Sequence, residues 1–176
     1  MKKIAALSVT TLALLTLTAC GSKSENKSNS TNVSVGKTDN YYFKNDVANI
    51  RDLKIKINKV KIIQAGQKGN DYGQKPVIAY WYSVTNKTNK EIDPNSAWMA
   101  VFQATQSDNN AEHTLDVTAL PDSKYLDSQM DKIKKGGTVK NAVAYTLHDT
   151  KSAVKLTANK GIGGEKIGSQ NYNLTK

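Results

Sequence analysis

Residues 53–63 read LKIKINKVKII and residues 76–86 read PVIAYWYSVTN, and these two stretches decide the fold class. In the first, Leu53, Ile55 and Ile57 alternate with Lys54 and Lys56, and Val60 and Ile62 then alternate with Lys59 and Lys61. The period is two, with one slip at Asn58-Lys59. Strict alternation is the pattern of a strand with one face buried, and a slip of one residue predicts a β-bulge or a break between two strands. The second stretch is rich in β-branched and aromatic residues, which favour a pleated surface. Its alternation predicts Ile78, Tyr80, Tyr82 and Val84 in the core and Val77, Ala79, Trp81 and Ser83 on the opposite face.

Outward from these strands, the polar run Thr85 to Asn95 predicts a connection, and Pro94 bars regular pairing there. The apolar run Ala97 to Gln106 fits strand or helix, and strand is favoured. The turn cluster Ser107-Asp108-Asn109-Asn110 and then Thr114 to Val117 predict a hairpin with it. Thr138 to Leu147 predicts another strand after Gly136-Gly137, and Ala153 to Thr157 and Tyr172 to Leu174 are shorter candidates. One segment departs from this pattern. Leu126, Met130 and Ile133 recur at helical spacing, so a short helix is expected within residues 123–134. Several strands separated by Asn, Asp, Gly and Pro clusters predict an all-β domain, an antiparallel sandwich.

The chain has 176 residues, 38% hydrophobic and 23% charged, with a single cysteine. This excludes collagen-like, coiled-coil and multi-span membrane classes, and the length suits one domain with processing segments. At the amino end Lys2 and Lys3 precede an uncharged, largely apolar run of about 14 residues, Ile4 to Leu17, ending in Leu17-Thr18-Ala19-Cys20. A run short of the ~20 residues of a membrane span, ending in small residues, predicts a signal peptide over residues 1–19. The Leu-x-Ala-Cys ending resembles a lipobox, which makes Cys20 the expected lipidation site and the first mature residue. Two acyl chains give a lasting anchor where one holds only reversibly. Residues 20–40 continue with Ser, Asn, Lys and Thr and almost nothing to bury, so they are expected to be a flexible linker with a reach of roughly 25 Å. Residues 41–176 form the folded domain. With no second cysteine it has neither disulfide nor Cys-based metal site.

The formal net charge is +10, of which +7 falls on residues 41–176. Beyond the membrane such a surface is drawn weakly, and in a salt-dependent way, to anionic wall polymers and headgroups. The expected location is the extracellular face of the cell membrane, lipid-anchored. The membrane is the first partner, an anionic cell-wall polymer or an envelope protein the second, and nucleic acid is not expected.

Several motifs together resemble a family of small Gram-positive lipoproteins whose soluble part is a domain of unknown function. They are Gly69-Asn70, PVIAYWYSVTNKTNKEIDP with Ala97-Trp98, Leu120-Pro121-Asp122, Ile133-Lys134-Lys135-Gly136 and Ala142-Val143-Ala144-Tyr145. The strand ending Tyr82 to Asn86 is also similar to the telokin-like, immunoglobulin-like group of secreted domains. The resemblance implies an immunoglobulin-like β-sandwich on a lipid anchor and supplies no catalytic residues.

A hydrolase needs a nucleophile and a base held by a third group. The candidate bases are His113 and His148, both at expected strand ends, and they read better as surface histidines. The glycines of Gly163 to Ser169 lack the lysine of a phosphate loop and read as turn residues. Asp108-Asn109-Asn110 with Glu112 offers oxygen ligands but is too short for an EF-hand, so it reads as a hairpin tip. The remaining candidates form a binding surface: Lys54, Lys56, Lys59 and Lys61 on one strand face, with Trp81 and Trp98 able to stack on sugar rings. Sequence therefore points to a non-catalytic binding or interaction module without cofactor or metal. The alternative is an envelope-acting hydrolase using His113 or His148.

Overall fold

The computed structural model describes residues 40–174. Nine strands form two antiparallel sheets. The first has the order β1 (Tyr42–Lys44), β2 (Val47–Asn49), β3 (Leu53–Ile63), β4 (Val77–Asn86) and β7 (Thr138–Thr146). The second has the order β6 (Glu112–Thr114), β5 (Phe102–Ser107), β8 (Val154–Asn159) and β9 (Lys166–Tyr172). The described domain is thus an antiparallel β-sandwich, as the alternating stretches predict. Among the described residues no helix is long and apolar enough to cross a membrane. The signal peptide, Cys20 and the linker through residue 39 lie outside the described residues.

The slip in β3 is a bulge. Ile57 pairs with Tyr82 and Lys59 with Trp81, so Asn58 is the extra residue, and its amide donates to Ser83 Oγ at 3.3 Å. The insertion resets the alternation, keeping Lys59 and Lys61 on the same face as Lys54 and Lys56. The opposite face carries Ile55, Ile57, Ile78, Tyr80, Tyr82 and Val84 into the core against Phe102, Ala104, Val154, Leu156 and Ala158 of the second sheet.

The run Ala97 to Gln106 is a correction. It begins as helix α1 (Pro94–Val101) and becomes strand only at Phe102. Asp93 caps the helix by accepting from Ser96 N at 2.8 Å, and Pro94 occupies the first turn, where its missing N–H costs nothing. The helix plugs the core with Trp98, whose indole lies 4.4 Å from both the Tyr82 and Phe102 rings and donates to Tyr145 Oη at 2.7 Å.

The expected helix within residues 123–134 is a second correction. Only a 3-10 turn, Ser123–Tyr125, forms. Two backbone bonds draw the remainder onto the α1 approach: Asn95 N donates to Gln129 O and Ile133 N to Ile92 O. Ile133 is buried, but Leu126 and Met130 are exposed, so the apolar stripe does not act as one face. At the carboxyl end the strand is Lys166–Tyr172 and not Tyr172 to Leu174. It forms on a polar sequence because β8 supplies the ladder and Ile167 and Tyr172 pack on the core.

The β1–β2 hairpin, which no sequence pattern signals, turns at Asn45 and Asp46, both with positive φ (50° and 60°). Two consecutive left-handed residues suit a type I′ turn, where Asn and Asp are tolerated. Asp46 accepts from Tyr172 Oη at 2.7 Å, and its N–H donates to Gln170 Oε1 at 2.8 Å. These bonds join the hairpin to β9 and close that side of the sandwich.

Candidate functional site

On the outer face of the first sheet, the register places Trp81 between Lys59 of β3 and Ala142 of β7. The neighbouring outward residues are apolar, since Val77, Ala79 and Ala144 follow on the same face with Ile63, and an uncovered patch of this kind would face water. Residues 64–76 and 115–125 cover it, so Ile63, Val77, Ala79 and Ala144 form a small second core against which Trp81 packs. Val77 and Ala79 are therefore outward by alternation, as expected, yet buried. The cover depends on Gly69. Its φ is +93°, and a Cβ there would come within 2.5 Å of Pro121 O. Asn70 holds the loop from beneath, donating through its amide to Ile63 O and Lys75 O.

Where the cover stops, a groove of about 650 Å³ opens, lined by Lys59, Lys61, Lys68, Trp81, Asp122 and Lys124 among others. Trp81 is half-buried at its floor. Its indole N–H donates to Asp122 Oδ2 at 2.9 Å, and the Lys59 ammonium stands 4.9 Å above its ring centroid. Lys124 Nζ reaches Asp122 Oδ2 at 3.1 Å. Burial would raise the Asp122 carboxyl, but the hydrogen bonds from Trp81 and Lys124 outweigh it and hold the group below its ordinary range. Asp122 thus stays ionised and fixes the indole. Four lysines and two aspartates, Asp71 and Asp122, line the groove, and both aspartates are occupied within the fold: Asp71 accepts from Gly69 N at 3.0 Å. Lys124 is taken up in the Asp122 pairing, which leaves the ammonium groups of Lys59, Lys61 and Lys68 to face a ligand.

Of the predicted binding residues, Lys59, Lys61 and Trp81 meet in this groove. Lys54 and Lys56 extend the same exposed stripe opposite Thr85 and Ser83, outside the groove lining. Trp98 is a correction: it is fully buried in the core, because the run that carries it is helical and turns its ring inward. Lys68, Lys124 and Lys140 were not singled out by sequence. Lys140 joins the stripe opposite Ser83; Lys68 and Lys124 arrive only with the covering loops. The outward apolar residues around Trp81 were the available signal that something must fold over this face.

His113 and His148, 35 positions apart, do not stand alone. Their rings stack with centroids 3.7 Å apart and 11° between planes, and His113 Nε2 lies 3.0 Å from Asp108 Oδ2. Asp108 is the hairpin-tip residue expected. Hydrogen bonds from Asn110 N above all, and from His113 and Ala111 N, lower its carboxyl pKa to about 2. Glu112 pairs with Lys155 at 3.0 Å. Of the glycines expected in turns, Gly163 takes positive φ in the turn before β9, whereas Gly168 takes its positive φ inside β9; Gly161, outside that motif, is also positive. Among the described residues no serine or threonine hydroxyl is hydrogen-bonded to either imidazole.

A family model described as "Domain of unknown function (DUF5067)" matches residues 23–160, and the chain belongs to that family. No curated protein matches the chain. Among solved structures, it is similar to a proposed lipoprotein from Staphylococcus aureus subsp. aureus NCTC 8325, with 23% identity, a TM-score of 0.64, and coverage of 76% of this chain and 91% of that one. It is also similar to a protein from Enterococcus faecalis, with 22% identity, a TM-score of 0.56, and coverage of 76% and 93%. At these identities the likeness is one of fold.

Proposed function

We propose that this protein is a lipid-anchored, extracytoplasmic binding module whose Trp81 groove takes a segment of an anionic envelope polymer. The observation that carries the reading is the half-buried indole in a groove lined by Lys59, Lys61, Lys68 and Lys124. A flat aromatic face at the floor of a cationic groove suits a repeating ligand that alternates a ring or polyol with an anionic group. The ligand's ring stacks by displacing the flexible Lys59 ammonium from the indole face, and the anion meets ammonium groups that reach from β3 and from the covering loop. Exposed lysines interact weakly one at a time and are screened by salt, so several must act together for useful affinity. The anchor at Cys20, the leader before it and the linker after it supply the location. The linker would let the domain sample polymer above the lipid surface. Thr114 and Thr146 line the same pocket as the histidines, but among the described residues no hydroxyl is hydrogen-bonded to either imidazole, so the activated pair a hydrolase needs is not assembled there.

The test is co-sedimentation of the full chain with purified cell-wall material at rising salt. The expected result is retention that falls steeply with salt and is lost when Lys59, Lys61, Lys68 and Lys124 are replaced by glutamine together. Retention equal to that of the wild type in the fourfold variant would exclude this groove.

A further inference from the structure

The stacked histidines are held in place by the fold. Gln106 on β5 pairs with His113 on β6, so the two side chains leave the same face of the second sheet. The Gln106 side chain is itself buried, and all of its bonds go to the loop that carries His148. Its Oε1 accepts from His148 N at 2.7 Å and Asp149 N at 3.3 Å, and its Nε2 donates to Asp149 O at 3.1 Å and Ser152 O at 2.7 Å. One amide therefore ties the His148 backbone to the strand position facing His113. Asp149 closes the same loop by accepting from Lys151 N and Ser152 N, both at 2.6 Å. Asp108 is set by the hairpin tip: its Oδ1 accepts from Asn110 N at 2.7 Å and Ala111 N at 2.8 Å, which leaves Oδ2 turned toward His113.

We propose that Asp108, His113 and His148 form a binding site for a divalent transition-metal ion of the zinc class. The ligand chemistry favours it. Two imidazoles and one carboxylate are the donors that zinc and its late first-row neighbours prefer, whereas calcium and magnesium seek oxygen alone. The geometry is close to what such an ion requires. One ligand atom from each residue falls within a group whose members lie within 4.8 Å of one another. Two ligands each about 2.0–2.1 Å from a tetrahedral ion are about 3.3 Å apart. The Asp108–His113 edge, at 3.0 Å, is close to this, and the ion would replace the proton that Nε2 now donates to the carboxylate. The remaining edges need to shorten by at most about 1.5 Å on that geometry. Stacked rings send their lone pairs out side by side, so loading requires the rings to splay until both lone pairs converge. His148 can make this movement: its backbone is clamped by Gln106 while its side chain is exposed. Of the two carboxylates adjacent in sequence to the histidines, Glu112 is engaged by Lys155 and Asp149 by the backbone of Lys151 and Ser152, and both stay outside the set. Three protein ligands at the surface leave a coordination position open to water or to a donor from a partner molecule.

The chain holds only two histidines, which makes the test clean. Zn²⁺ is titrated into the full chain carrying Cys20→Ala, which removes the one competing thiol, and the imidazole Cε1–H resonances are followed together with the heat of binding. The expected result is one ion per chain, both imidazole resonances moving over the same equivalent, and affinity weakened about tenfold or more in His148→Ala. His113→Ala should weaken it comparably, and circular dichroism reports whether that half-buried replacement keeps the fold. Binding by a single imidazole, affinity in the folded His148→Ala protein within twofold of the parent, or no saturable binding would each overturn the site.

Discussion

Replacing Asn86 should cost this domain more than its single side chain suggests, and the structure says how much. Asn86 ends β4 and is fully buried. Its amide donates to Lys90 O and Ile133 O, both at 2.8 Å, and its Oδ1 accepts from Thr88 N at 2.9 Å and Thr88 Oγ1 at 3.2 Å. Three segments, the end of β4, the approach to α1 and the stretch before β7, therefore meet on one side chain. Asn86→Ala orphans a buried carbonyl at Ile133 and partly buried groups at Lys90 and Thr88. At about 1–3 kcal/mol for each unsatisfied buried group, and less where water can enter, the loss is about 3 kcal/mol. That is a large share of the ~5–15 kcal/mol by which domains are stable. With a urea m-value near 2 kcal/mol/M, the midpoint should fall by about 1.5 M with m unchanged. Asn86→Asp sharpens the test. The carboxylate still accepts from Thr88 but has no donor for the two carbonyls 2.8 Å away, so at neutral pH it should be worse than alanine. Those carbonyls and the burial raise the new carboxyl's folded pKa above its unfolded ~3.9, so the penalty grows as pH rises above that value and shrinks as pH falls toward it. Urea titrations at neutral and acidic pH decide the matter. An alanine variant within about 0.5 kcal/mol of the wild type, or an aspartate variant equal to it at neutral pH, would refute the reasoning.

The buried tyrosines should make the fold sensitive to alkali. Burial pushes the Tyr145 hydroxyl up to about 12 against the opposing hydrogen bond from Trp98, and burial likewise raises Tyr80 and Tyr82. Unfolded tyrosine ionises near 10, so this stability is intact below pH 10 and is lost as pH climbs toward 12, by up to about 1.4 kcal/mol per pH unit for each ring. Tyrosinate absorbance from these rings should rise together with loss of the far-ultraviolet circular dichroism signal; full ionisation near pH 10 with the signal unchanged would contradict their burial. Trp98→Phe removes the bond to Tyr145 and part of the central aromatic cluster, for a cost of about 1–3 kcal/mol in urea unfolding, while polymer retention stays at the wild-type level. A loss of retention in the folded variant would return Trp98 to the binding surface.

Strands were legible where one face is buried and the other wet. Leu53 to Ile63 shows its bulge in the sequence because lysines mark the outward positions from Lys54 to Lys61. The helix at Pro94–Val101 was hidden because a short apolar run has no period of its own. The Asp93-Pro94 pair, a cap followed by a first-turn proline, was the signal that outweighs it. The strand Lys166–Tyr172 was hidden for the opposite reason, since an edge strand paired on one side needs little apolar sequence. Leu126 and Met130 show that helical spacing without a partner surface does not make a helix. Half of the groove was legible through Trp81, Lys59 and Lys61. Lys68 and Lys124 were not, because their place depends on two loops crossing a sheet face. The histidine pair depends on one strand register and one buried glutamine, neither of which periodicity reveals.

The groove is most directly tested by tryptophan emission, because Trp98 is sealed in the core and Trp81 alone of the two lies at the surface. Titrating purified anionic wall polymer into the full chain should change the Trp81 emission saturably. The change should disappear in Trp81→Phe, and rising salt should weaken the affinity. An emission change that persists undiminished in Trp81→Phe, or no change while the polymer demonstrably binds, would contradict a ligand seated on that ring.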